Sequence, residues 1–185
     1  MINLKHEVTQ IDHDLLECPE ERAPMVAIVF VCTGNICRSP TAEAVFRHKV
    51  HAAGLDGAVR IDSAGTTAFH VGEPPDPRAA DAAQRRGYSL DGQLARRVHP
   101  DDFDRFDLLV AMDRGHHKAL LRMAPDDDAR ARVVMMSDFS RRPNALADVP
   151  DPYYGGGDGF ERVLDMLEDA AEGLLDHVRA RPDVA

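Results

Sequence analysis

The stretch Val31-Cys32-Thr33-Gly34-Asn35-Ile36-Cys37-Arg38-Ser39-Pro40 decides the architecture of this chain. Immediately upstream, Met25-Val26-Ala27-Ile28-Val29-Phe30-Val31 is an unbroken apolar, β-branched run, the pattern of a buried strand. Immediately downstream, residues 40–47 read as a helix, with Ser39 placed to cap it and Pro40 in its first turn. Strand, tight loop and helix N-terminus together make a cradle of backbone N–H groups for an anion the size of phosphate. Cys32 stands at the floor of that cradle, where a thiolate is placed to attack phosphorus.

The same alternation continues along the chain. Residues 58–63 read as a second strand, followed by a Gly- and Pro-rich loop to residue 77 and a helix over 78–87 that ends on a glycine. Residues 106–112 and 131–136 read as third and fourth strands, with a helix over 115–123 entered through Asp113. After a loop over 137–159, residues 160–179 form a long amphipathic helix. Strands alternating with helices predict an α/β fold: a single-domain three-layer sandwich, with a four-stranded parallel sheet flanked by helices. Ligands of such sheets bind beyond the carboxyl ends of the strands, which is where Cys32 lies.

The chain has 185 residues, enough for one domain with one good core, and a hydrophobic fraction of 44%. No apolar run approaches the roughly 20 residues that span a bilayer, so no membrane partner is expected. Residues 1–24 are polar and acidic and lack the basic start and apolar middle of a signal peptide. They read as a poorly packed extension, either genuine or upstream of a true start at Met25, ahead of a domain over 25–182. The three cysteines (Cys18, Cys32 and Cys37) form no disulfide-framework pattern, and a reduced cytoplasmic setting fits them. A formal net charge of −10 without a basic run argues against a nucleic-acid partner. The acidic clusters Asp101-Asp102-Phe103-Asp104 and Asp126-Asp127-Asp128 read as solvated loops and helix starts. Affinity for an anion must therefore be local.

The residues of the first loop have separable jobs. Amides, a helix N-terminus and a guanidinium all favour the Cys32 thiolate, which predicts a depressed pKa there. Arg38 offers a planar fork to two phosphate oxygens, a grip lysine cannot imitate. Ser39 has two readings that are compatible, capping the helix and donating its hydroxyl to the Cys32 sulfur. Asn35 tolerates a left-handed backbone and ties the loop together.

These residues resemble the signature of the low-molecular-weight protein tyrosine phosphatases. So do Asp62-Ser63-Ala64-Gly65-Thr66, Val71-Gly72-Glu73-Pro74-Pro75-Asp76-Pro77-Arg78-Ala79, Ala111-Met112-Asp113-Arg114 and Asp151-Pro152-Tyr153-Tyr154, all in the family's order. The resemblance runs from about residue 25 to about 178. It implies a metal-free, cofactor-free hydrolysis of protein phosphotyrosine through a phosphocysteine on Cys32, within a phosphatase loop after the first strand. It also implies Asp151 as the general acid, with Asp148 a nearby carboxylate to be told apart from it. Thr33, Gly34, Asn35, Ile36, Cys37 and Ser39 are then the phosphate-binding or supporting positions. Tyr153 and Tyr154 are the wall of the substrate pocket. Phe69 is either the opposite wall or core packing. Asp113 is implied as a structural acid orienting Arg38 or the loop. Cys37 is either a small buried residue or the partner of Cys32 in a reversible disulfide. Many relatives carry a histidine that supports the loop asparagine, where this chain has Gln93, whose amide offers a similar bond.

Three other activities compete. A thioredoxin-linked arsenate reductase of the same fold needs further cysteines downstream, and none follows Cys37. Relatives that are protein-arginine phosphatases tend to have threonine at the position of Ile36 and lack the paired tyrosines. A binding module with a dead site is disfavoured by intact Cys32, Arg38 and Asp151.

Overall fold

A computed structural model of the chain describes residues 25–142, 148–153 and 158–181. Strand β1, Val26–Cys32, is buried at all seven positions. It is flanked by two parallel neighbours, β2 (Val59–Gly65) and β3 (Leu108–Ala111), and β4 (Val133–Met135) completes the parallel order β2-β1-β3-β4. Burial on both faces explains the unbroken apolar run. Ile28 and Phe30 pack into one hydrophobic cluster with Val45 and Phe46, while Val29 and Val31 pack into a second with Phe103 and Leu120.

The first cluster is closed by helices α1 (Arg38–Ala52), α2 (Pro77–Arg85) and the last helix. The second is closed by α3 (Asp102–Arg105), α4 (Arg114–Met123) and α5 (Asp127–Ala131). The last helix, α6 (Gly159–Arg179), buries a stripe that includes Leu164, Leu167, Ala171, Leu174 and Val178. The three-layer α/β/α architecture with a four-stranded parallel sheet is the one expected from the sequence. Among the described residues, no helix is long and apolar enough to cross a membrane.

Several local expectations are corrected. Helix α1 begins at Arg38, two residues before Pro40, and Cys37 occupies its N-cap without a side-chain bond, so Ser39 does not cap it. Proline is tolerated there because the first amides of a helix lack intrahelical partners in any case. The helix also continues past residue 47, carried by Val50, which is buried one turn beyond Phe46. Ala131 belongs to α5, capped by Asp126 accepting from the Ala129 amide, and not to the fourth strand. A 3-10 turn over Met136–Phe139 takes the start of the predicted 137–159 loop. Asp102 is no solvated acid: it is fully buried, accepts from the His99 amide and pairs with Arg96 at 2.9 Å. Residues 1–24 and Cys18 lie outside the described residues.

Candidate active site

The carboxyl end of β1 meets the first turn of α1 across the loop that runs from Thr33 to Cys37. Asn35 is the one non-glycine residue with positive φ (58°) among the described residues, a conformation its short amide tolerates. Its nearly fully buried side chain donates from Nδ2 to Ser39 Oγ and Ser63 Oγ, both at 2.9 Å, and accepts from the Arg96 amide at Oδ1. Ser63 passes the chain on to Glu43 at 2.6 Å, where burial pushes the carboxyl up against the opposing Ser63 bond and Arg47 charge. Gln93 does not take part. Its amide donates to the Pro40 carbonyl at 3.2 Å, so Ser39, Ser63 and the Arg96 amide hold Asn35 instead.

Four loop carbonyls are engaged by donors on neighbouring segments: Cys32 by the Thr66 amide, Thr33 by Thr67, Ile36 by the Asp76 amide and Cys37 by Thr41. Gly65 on β2 lies so close that a Cβ there would stand 2.7 Å from the Thr33 carbonyl oxygen. The loop is thus braced from behind by the strand beside it. Cys32 Sγ lies 3.0 Å from Ser39 Oγ, which also contacts the Ala64 carbonyl at 3.2 Å. A serine has one proton, so a thiol donates to Ser39 and leaves that proton for Ala64, whereas a thiolate draws it to sulfur. Cys37 is buried and its thiol free, as is that of Cys32.

Arg38 is drawn into the same site. Its side chain is only 5% exposed, with NH1 donating to Asp113 Oδ2 at 2.8 Å and the Val149 carbonyl at 3.2 Å. NH2 donates to Asp151 Oδ2 at 2.9 Å and to Thr33 Oγ1 at 3.3 Å. Asp113 caps α4 by accepting from the His116 amide at Oδ1, which turns its other oxygen to Arg38. Burial works to raise the Asp113 carboxyl, yet the adjacent His116 ring and amide and the Arg38 charge outweigh it and hold it well below the usual carboxylate range.

The loop carrying Asp151 is tethered to the end of β3 and the start of α4. The Val149 amide donates to the Met112 carbonyl, and Asp148 accepts from the Arg114 amide. The two nearby acids are thereby told apart. Asp148 anchors the loop on the helix, and Asp151 faces the cleft.

A cleft of about 270 Å³ opens above the sulfur, lined by Cys32, Ile36, Arg38, Phe69, Asp151 and Tyr153 among others. Phe69 is 82% exposed, which removes the core-packing alternative and leaves it as a wall. Tyr153 is held by Arg78, whose guanidinium lies 5.2 Å from the ring centroid. Tyr154 lies outside the described residues. Two lining residues were missed in the sequence. His70 packs against Gly34 and pairs with Glu73 at 2.7 Å, and Thr67 binds the Thr33 carbonyl. The adjacency of His70 to Phe69 was the available signal. His116, also missed, carried one in the spacing Asp113-Arg114-Gly115-His116, that of a helix cap and its third residue.

Residues 27–183 match the family model of the low molecular weight phosphotyrosine protein phosphatases. A low molecular weight protein-tyrosine-phosphatase of Streptomyces coelicolor is 50% identical over 153 residues, covering 82% of this chain and 93% of that protein. One from Bacillus subtilis is 42% identical over 151 residues, covering 82% and 94%. The crystal structure of a protein tyrosine phosphatase from Entamoeba histolytica, with Hepes in its active site, superposes with a TM-score of 0.80 at 40% identity. That superposition covers 83% of this chain and 97% of the other.

Proposed function

The chain belongs to the low molecular weight phosphotyrosine protein phosphatase family, and on that premise we propose that it hydrolyses protein phosphotyrosine through a phosphocysteine on Cys32. The observation that carries this reading is a single cleft lined by Cys32, Arg38 and Asp151, with buried Ser39 in contact with the Cys32 sulfur.

The phosphoryl oxygens take the loop amides and Arg38, which exchanges its Asp151 contact for the anion, and the freed Asp151 takes up a proton from solvent. The Cys32 thiolate forms a bond to phosphorus as the bond to the tyrosine oxygen breaks, and Asp151 delivers its proton to the departing phenolate. Asp151, now a carboxylate, takes a proton from the attacking water. The phosphorus–sulfur bond breaks, returning the thiolate, steadied by the Ser39 hydroxyl, and releasing phosphate. Ile36, Phe69 and Tyr153 supply apolar surface for a phenyl ring, which supports an aryl substrate. The need for a free thiolate supports a reducing, cytoplasmic location.

The test is a pH–rate profile with aryl phosphates of graded leaving-group pKa. Cys32→Ser should abolish turnover. Asp151→Asn should slow poor leaving groups by about 10²-fold or more and good ones far less. A uniform loss across the series would remove Asp151 from the acid role, and residual turnover in Cys32→Ser would remove the phosphocysteine.

A further inference from the structure

Four side chains from three parts of the chain close a ring beside the cleft. Arg38 NH1 donates to Asp113 Oδ2 at 2.8 Å, and Arg38 NH2 donates to Thr33 Oγ1 at 3.3 Å. Thr33 Oγ1 lies 2.8 Å from His116 Nε2. His116 Nδ1 stands 2.9 Å from Asp113 Oδ1, an electrostatic contact whose N–H is not aimed along a hydrogen bond. His116 is only 5% exposed, whereas Thr33 is exposed at the cleft.

The proton inventory defines what the ring can do. Arg38 only donates, so the Thr33 oxygen accepts from it. The Thr33 hydroxyl then donates to a neutral Nε2, or a protonated Nε2 donates to the same oxygen; either way the hydroxyl is held in one rotamer. Arg38 NH2 has two side-chain partners, Thr33 and Asp151. Asp151 must yield its place to a bound anion, and Thr33 alone then steadies that edge of the guanidinium. An exposed threonine would turn its hydroxyl to water unless something buried held it, and His116 is that group.

We propose that His116 is a positioning residue for Arg38, fixing the guanidinium plane for a bound phosphoryl group by way of the Thr33 hydroxyl. The inference rests on the phosphatase reading of Arg38. It assigns the histidine a place in anion binding without contact with substrate.

The test titrates the full chain with inorganic phosphate by calorimetry. His116→Phe keeps a buried aromatic ring and removes both nitrogens, and Thr33→Val keeps the shape and removes the hydroxyl. Each should weaken phosphate binding about tenfold, the scale of a lost hydrogen bond to a charged group. The double variant should be no weaker than either single one, because both cut the same link. Thr33→Ser should recover most of the affinity lost in Thr33→Val, and kcat/KM for an aryl phosphate should follow phosphate affinity through the set. A role in packing alone would lower the melting temperature while leaving phosphate affinity within about twofold of the parent, and that outcome overturns the proposal. So would losses that simply add. Should His116→Phe not fold, His116→Asn, too short to reach Thr33, takes its place in the cycle. Phosphate titration needs no turnover, so the two readings fail separately: a parent chain that binds phosphate but leaves aryl phosphates intact would count against the phosphatase alone.

Discussion

Cys37 and Asp113 show how position sets the behaviour of a single group. The Cys37 thiol is pushed up to about 12, first by burial and then by the charge of Asp76. It therefore stays protonated at neutral pH, and a protonated thiol is a poor nucleophile. Iodoacetamide near neutral pH should modify Cys32 and spare Cys37, read by peptide mass. Equal labelling would contradict the buried environment. Asp113 is shifted the other way. A carboxyl held down in the folded state adds stability that is complete above its unfolded value of about 4 and is lost as pH falls below it. Asparagine keeps the cap and removes the charge. Asp113→Asn should cost about 1–3 kcal/mol at neutral pH and flatten the loss of stability between about pH 4 and pH 2, seen in thermal melts. An unchanged acid limb would assign that loss to other carboxylates. Cys32, Arg38, Ser39 and Asn35 were legible because they sit within one short loop whose spacing carries its meaning. The Arg38–Asp113 and Thr33–His116 contacts span 75 and 83 residues. No local period encodes such pairs: the family resemblance points Asp113 toward Arg38 or the loop, whereas the Thr33–His116 contact is revealed by the folded chain.

Glycine in the middle of α6 poses the question of sign at the scale of an element. An interior helix glycine usually costs about 1 kcal/mol relative to alanine, so Gly173→Ala would be stabilising on propensity alone. Here a Cβ would lie 2.0 Å from the Phe139 carbonyl oxygen, on the backbone of the 3-10 turn beneath. The turn cannot yield as a flexible side chain would, and overpacking of about 1–3 kcal/mol outweighs propensity. Gly173→Ala should lower the urea midpoint with an unchanged slope, and a raised midpoint would show that the turn moves freely. Strand β1 could be read ahead of the structure from its unbroken apolar run, and α6 because it repeats its apolar period several times. The short ones, α3 and α5, could not. Four or five residues hold little more than one turn, and their beginnings are marked by acids that equally suit an open loop. Ser39 was half legible. Its expected contact with Cys32 holds, but α1 begins at Arg38, which puts Ser39 inside the first turn rather than at the cap.

The molecule as a whole is acidic, with a formal charge of −10, while its cleft is built for an anion. At long range the field opposes a phosphorylated substrate, and added salt screens it over about 10 Å at 0.1 M. Raising sodium chloride from low to physiological concentration should therefore increase kcat/KM for a dianionic aryl phosphate, on the order of twofold. A decrease would mean that the positive groups of the cleft govern the approach. The sheet order puts β1 between β2 and β3, so one strand end meets contributions from both layers. Helix α1 brings Arg38, α4 brings Asp113, and the segment after residue 148 brings Asp151. In this resting arrangement one edge of the Arg38 guanidinium already carries a carboxylate. On the proposed cycle an incoming phosphoryl group enters by trading places, and the freed Asp151 takes up a proton from solvent before the tyrosine oxygen requires it. Departure of free phosphate and return of the acid then become one event, and the arginine works as a turnstile that admits a single anion at a time.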